Sequence, residues 1–177
     1  MRKFLLIIDM QNDFIDGSLG TPEAQAILPA VLEKIKQYPA CDIIATRDTH
    51  GENYLETSEG KQLPVKHCIK GTHGWELHPE IASAIGNAKV IDKPTFGSTA
   101  LVHMLSNVKE PFELELVGLC TDICVVSNAL LLKAAFPETK ITVDASCCAG
   151  VTPQSHCAAL TTMRMCQIQL TKDREPM

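Results

Sequence analysis

A chain of 177 residues, 45% hydrophobic and 21% charged, is long enough for one domain with a full apolar core, and residues 1–177 are read as one such domain. That balance excludes a disordered or fibrous protein. The net charge of -5, with no run of Lys or Arg to track a phosphate backbone, argues against nucleic acid as a partner.

The first element is the apolar run 3–8, read as a buried strand. It is only a few residues long and is broken by Asp9, so it is neither a secretion signal nor a membrane span, and a cytoplasmic location is expected. The 8 cysteines fit that setting as reduced thiols, since a chain with a sizeable core needs no disulfide staples. No C-x-x-C pair occurs, and most of these cysteines are read as small buried hydrophobes.

A helix is predicted over 23–37, then a strand over 42–46 followed by Asp48 and His50. Residues 47–78 are polar, rich in Gly, His, Glu and Lys and without periodicity, and a loop of that length is usually functional. A helix over 79–85 leads to a strand at 89–91 with Lys93 just beyond it. A helix over 98–106, a strand over 112–117, a helix over 122–135, a strand over 140–143, a helix over 153–165 and a last strand over 166–170 complete the chain. This alternation implies right-handed crossovers and a mostly parallel six-stranded sheet covered on both faces, a three-layer α/β/α sandwich.

In such a sheet ligands bind beyond the carboxyl ends of the strands, where this sequence places Asp9, Asp48, His50, Lys93 and Cys124. Cys124 lies where a strand turns into a helix, and unpaired first-turn amides stabilise a thiolate there. The amides of Cys124 and Cys120 are candidate donors to the oxyanion of an acyl-transfer intermediate. Asp9 is a candidate base, and Lys93 a cation able to lower the pKa of both carboxylate and thiol. Taken singly, each has a plainer reading: a packed cysteine, a capping aspartate, a surface lysine.

The motifs Asp9-Met10-Gln11-Asn12-Asp13-Phe14, Lys93 in Lys-Pro-Thr-Phe-Gly-Ser-Thr, and Gly118-Leu119-Cys120-Thr121-Asp122-Ile123-Cys124 occur together and in order. The chain therefore resembles the isochorismatase-like cysteine hydrolase superfamily from about residue 3 to residue 170. The resemblance implies that Asp9 is the general base, that Lys93 supports it and that Cys124 forms a covalent acyl intermediate released by water. It also implies a cis peptide at Leu119-Cys120, aiming the Cys120 amide at the oxyanion. A catalytic cysteine favours amide substrates within this superfamily.

Asp48-Thr49-His50 and His67-Cys68 resemble the nicotinamidase branch, which implies a divalent metal beside the nucleophile. Asp48, His50 and His67 would be ligands, with Glu59 as a further one and Glu56 as the competing register. The donor set suits zinc first, and also iron or manganese. Phe14 is a candidate to stack on a flat substrate ring. Where nicotinamidases carry Trp-Pro before His-Cys, this chain reads Leu63-Pro64-Val65-Lys66, so that aromatic wall is absent at that place. Trp75 could fold back over the site or pack a loop, and His73, His78, His103 and His156 are assigned no chemistry.

The expected activity is hydrolysis of a small carboxamide, nicotinamide in the leading reading, by a homo-oligomer of the kind the resemblance implies. Two alternatives stay open at this point. One is a metal-free hydrolase of carbamoyl or ureido compounds, and the other a non-catalytic binder or thiol redox sensor.

Overall fold

The computed structural model describes residues 1–172. Six strands form one sheet in the order β3-β2-β1-β4-β5-β6: β1 (Arg2–Ile8), β2 (Ile43–Asp48), β3 (Lys89–Lys93), β4 (Phe112–Leu119), β5 (Ile141–Ala149) and β6 (Gln169–Thr171). Every pairing is parallel. The short helix α1 (Asn12–Ile15) follows β1, and α2 (Pro22–Ile35), α3 (Ser58–Gln62), α4 (Pro79–Ile85), α5 (Thr99–Ser106), α6 (Val126–Ala135) and α7 (Pro153–Met165) follow in chain order.

Because β1 and β4 are central, alternate side chains of each feed two cores. Leu5 and Ile7 pack with α2 and α4 on one face, and Phe4, Leu6 and Ile8 with α5, α6 and α7 on the other. Burial on both faces is why these strands read as continuous apolar runs rather than as an alternation. The strand order reverses between β1 and β4, so the sheet opens a crevice at their carboxyl ends.

Local chemistry sets the helix ends. Thr21 caps α2, accepting from the Ala24 amide at 3.0 Å with Pro22 in the first turn, and Thr152 and Ser155 form a capping box on α7. The last strand begins later than the sequence indicates: the Cys166 amide still bonds to helical carbonyls and Gln167 turns the chain at φ 65°, so pairing starts only at Gln169.

Two departures from regular geometry shape the crevice. Between the pairs Leu116 with Val143 and Gly118 with Cys148, one residue of β4 faces four of β5, and this bulge extends β5 well past its sequence-predicted end. Gly118 holds φ 118°, and a Cβ there would lie 2.1 Å from the Ile8 carbonyl oxygen, so only glycine lets β4 approach β1 just before the Cys120 turn. Gly118→Ala is expected to destabilise the protein by about 3 kcal/mol, measurable as a lower urea midpoint with an unchanged m value. An unchanged midpoint would mean that β4 and β1 separate there without penalty.

Candidate active site

Three strand ends supply the floor of the crevice. Asp9 leaves β1 at φ 47°, a left-handed backbone that is uncommon for a non-glycine residue and frequent at functional positions. Its Oδ1 accepts from the Thr46 hydroxyl at 2.6 Å, and its Oδ2 lies 2.7 Å from Lys93 Nζ. Lys93 closes β3 and also reaches Cys124 Sγ at 3.4 Å, Asp48 Oδ1 at 3.2 Å and the Thr95 carbonyl at 3.1 Å. Asp9, Lys93 and Cys124, far apart in sequence, are thus in mutual contact and all deeply buried.

Cys124 lies in a π-helical turn, Thr121–Val125, that leads into α6. The Cys120 carbonyl accepts the amides of Ile123 at 3.1 Å and Val125 at 3.0 Å, passing over the one between them, and a turn this wide is a recurrent feature of functional sites. The peptide bond Leu119-Cys120 is cis. Asn128, one turn into α6, donates to the Cys124 carbonyl at 2.8 Å and the Phe96 carbonyl at 3.0 Å and accepts from the Ser98 amide at 2.9 Å, tying the Cys124 turn to the loop after Lys93. On the other side Asp122 accepts from the Val151 amide, and Thr121 bonds to His156 at 2.8 Å.

Burial pushes the Asp9 carboxyl up, against the opposing pull of the Lys93 ammonium. Burial likewise raises the Cys124 thiol well above its ordinary value, with the Asp9 charge and a hydrogen bond to Asp9 adding to the effect. For Lys93 burial works against the charge, but Asp9, Cys124 and Asp48 outweigh it, and the ammonium is held more firmly than usual. The arrangement is a buried thiol beside a buried carboxyl group, with the Lys93 side chain touching both.

Asp48 joins this triad to a second cluster. Its other oxygen, Oδ2, is 2.9 Å from His50 Nε2 and 3.7 Å from His67 Nε2, and Glu59 Oε1 is 3.7 Å from each histidine nitrogen. One donor atom from each of Asp48, His50, Glu59 and His67 lies within 4.8 Å of all the others. Ions of the zinc class hold such donors at about 2.0–2.2 Å, which sets neighbouring donors roughly 3.0–3.5 Å apart, so the residues fit a small divalent ion. The His67 Nδ1 contact to the Val65 carbonyl, at 2.8 Å, orients the ring with Nε2 inward. Glu59 is therefore the carboxylate that converges, and Glu56, exposed in the preceding turn Tyr54–Glu56, lies outside the cluster.

The cluster exists because the long segment after β2 is strapped down. His50 and Ile69 form a single parallel bridge, with the His50 amide bonded to the Cys68 carbonyl and the Lys70 amide to the His50 carbonyl, each at 2.9 Å. This brings His67 alongside His50. Gln11 donates to the Asp48 and Trp75 carbonyls and accepts from the Asp48 amide, Asn12 donates to the His73 carbonyl, and Asp13 accepts from the Cys68 amide. The polar run after β1 is thus scaffolding for the loop, a role its residue types alone did not disclose.

Sequence reasoning also missed Tyr54. It is fully buried, packs tilted against His50 at 4.7 Å and edge-on against His67 at 4.9 Å between ring centres, and donates to the Leu63 carbonyl at 2.9 Å. Its only sequence signal was a lone aromatic residue in a polar loop. Trp75 packs the loop rather than the site, with Arg47 over its ring at 3.7 Å and its indole N–H on Thr49.

Above both clusters is a cavity of about 370 Å³. Asp48, Glu59, His67, Cys120 and Cys124 reach its floor, while Phe14, Leu19, Leu63, Phe96 and Ile123 form apolar walls. Phe14, on the cavity wall, lies 5.6 Å from the His67 ring. Among the described residues, neither Lys nor Arg lines this cavity.

The sequence from residue 3 to residue 174 matches the model of the isochorismatase domain. The nicotinamidase/pyrazinamidase of Mycobacterium tuberculosis is 28% identical over 184 aligned residues, covering 94% of this chain and 96% of its own. Among solved structures, the nicotinamidase/pyrazinamidase of Bacillus subtilis is similar with TM-score 0.82 at 26% identity, over 97% of this chain and 100% of its own. The pyrazinamidase of Pyrococcus horikoshii, in complex with zinc, gives TM-score 0.80 at 26% identity, over 98% of this chain and 100% of its own. With the family model spanning nearly the whole sequence, the chain belongs to the isochorismatase domain family.

Proposed function

We propose that this protein is a cysteine amidohydrolase of the nicotinamidase kind, converting a small heteroaromatic carboxamide, nicotinamide first, to its acid and ammonia. The observation that carries the reading is the single cavity onto which both clusters open, joined by the two oxygens of Asp48. A scissile amide and a ring nitrogen on one small molecule are the two features such a site serves at once. Carboxylate-bearing ureido acids fit less well, because the cavity offers two carboxylates, Asp48 and Glu59, and, among the described residues, neither Lys nor Arg along its walls.

Asp9 takes the thiol proton as the Cys124 sulfur attacks the amide carbon, and Lys93 keeps the carboxylate in its ion pair. The carbonyl oxygen becomes an oxyanion facing the amides of Cys120 and Cys124, which act as its donors. Asp9 then returns the proton to the leaving nitrogen, the C–N bond breaks, ammonia departs and a thioester remains on Cys124. Water, deprotonated by Asp9, attacks the thioester and releases the acid and the free thiol. Asp48, His50, Glu59 and His67 would hold a divalent ion, zinc first with iron and manganese compatible, whose open positions orient the ring of the substrate.

Ammonia release from nicotinamide is the deciding assay, run on protein as purified, after chelation, and after addition of zinc, iron or manganese. Turnover is expected to fall by at least about tenfold on chelation and to return with metal. Activity on carbamoyl or ureido compounds but not on nicotinamide would overturn the substrate. Full activity on nicotinamide in stripped protein would overturn the metal role.

A further inference from the structure

The walls of the cavity are larger and more apolar than a one-ring amide requires. At the packing density of a protein interior such a molecule fills about 150 Å³. The cavity holds about 370 Å³, and its outer wall carries Leu63, 38% exposed, and Phe96, 40% exposed, with half-buried Leu19 and Ile123 beside them. The polar side chains Ser58 and Gln62 of α3 and Thr95 line the cavity too, but none of them carries a charge.

The geometry points to a nicotinamide carrying an apolar substituent at ring carbon 5 as the preferred substrate class, with Leu63 and Phe96 as specificity-determining residues. This rests on the nicotinamidase reading. With the amide carbon at Cys124 Sγ and the ring nitrogen at the histidine cluster, the ring edge between them, carbon 2, faces Asp48, which bridges Lys93 beside Cys124 and His50 of that cluster. Carbon 5 is diametrically opposite and therefore faces the mouth, where Leu63 and Phe96 stand. A propyl or phenyl group there would cover apolar surface that unsubstituted nicotinamide leaves wet. A carboxylate there would meet neither Lys nor Arg among the described lining residues and would be desolvated against Leu63 and Phe96.

The test uses binding rather than turnover. Calorimetric titration of the Cys124→Ala protein with nicotinamide, 5-propylnicotinamide and 5-phenylnicotinamide is expected to give dissociation constants about tenfold lower for the substituted amides. Adding Leu63→Ser or Phe96→Ser should reduce that advantage to threefold or less, and 5-carboxynicotinamide should bind more weakly than nicotinamide. Equal affinity for substituted and plain amides, or an advantage that survives both serine variants, overturns the inference while leaving the nicotinamidase reading in place. If Leu63→Ser or Phe96→Ser instead dissolves an oligomer with the advantage untouched, the rim is a subunit contact and the inference fails. Absence of binding by every pyridine carboxamide, together with absence of turnover by the wild-type protein, overturns the nicotinamidase reading itself.

Discussion

Cys124→Ala is expected to lower kcat/KM for the amide by about 10⁴-fold or more without a comparable loss of stability, because the side chain is small, buried and replaced by a smaller apolar one. Asp9→Ala should fall by a similar factor, and the double variant should be no slower than the worse single, since thiol and carboxylate work as one unit. The pH profile checks the same pair. Burial raises the Asp9 carboxyl above its ordinary 3.8, so as pH falls the base is lost earlier than an exposed aspartate would be. On the alkaline side the Lys93 ammonium and the Cys124 thiol both titrate higher than usual, so kcat/KM should rise with pH to a plateau rather than trace a narrow bell. Substantial activity in Cys124→Ala, or an acid limb placed at an exposed aspartate's value, would remove the thiol–carboxylate mechanism.

The second large effect lies outside the site. Lys34 of α2 is buried between Glu115 of β4 at 2.7 Å and Asp144 of β5 at 2.8 Å, and Tyr38 also donates to Glu115. Lys3 and Lys172 touch the same carboxylates from the surface. Lys34→Met leaves two buried carboxylates with, among the described residues, only these peripheral cations, and a loss of about 3 kcal/mol is expected. That corresponds to a fall in Tm of roughly 6–12 °C for a domain of this size.

The pH dependence follows from the signs. Burial opposes ionisation of Glu115 and Asp144, but their hydrogen bonds and cations prevail, and both are held below the ordinary 4.5 and 3.8. Their stabilisation is therefore present above those values and is lost as pH falls through the lower folded ones. Lys34 is raised above 10.5, so its share persists across the whole neutral range. The deficit of Lys34→Met should be largest near neutral pH and shrink below about pH 4, where protonated carboxyls no longer need the cation. A deficit independent of pH would assign the effect to packing alone.

The strand–helix alternation, the parallel sheet and the ends where chemistry gathers were legible because each depends on local apolar runs and on the handedness of crossovers. Strand lengths were not: Asp48 and Lys93 are the last residues of β2 and β3 rather than residues beyond them, because pairing with a neighbouring strand, invisible in one segment, extends both. The bulge that lengthens β5 depends in the same way on β4.

The candidate residues Asp9, Lys93, Cys124, Asp48 and His50 stood out as reactive side chains near strand ends, His67 only through the family resemblance of His67-Cys68, and the structure brings all of them into two touching clusters. Residue type and strand position could name the first five. Only tertiary structure decided that Glu59 rather than Glu56 turns inward, that Tyr54 backs both histidines, and that Gln11, Asn12 and Asp13 serve the loop instead of the chemistry. Those outcomes hang on one parallel bridge, His50 to Ile69, and on buried amides that need partners from 37 to 64 residues away, and no local pattern in a single chain encodes a partner at that distance.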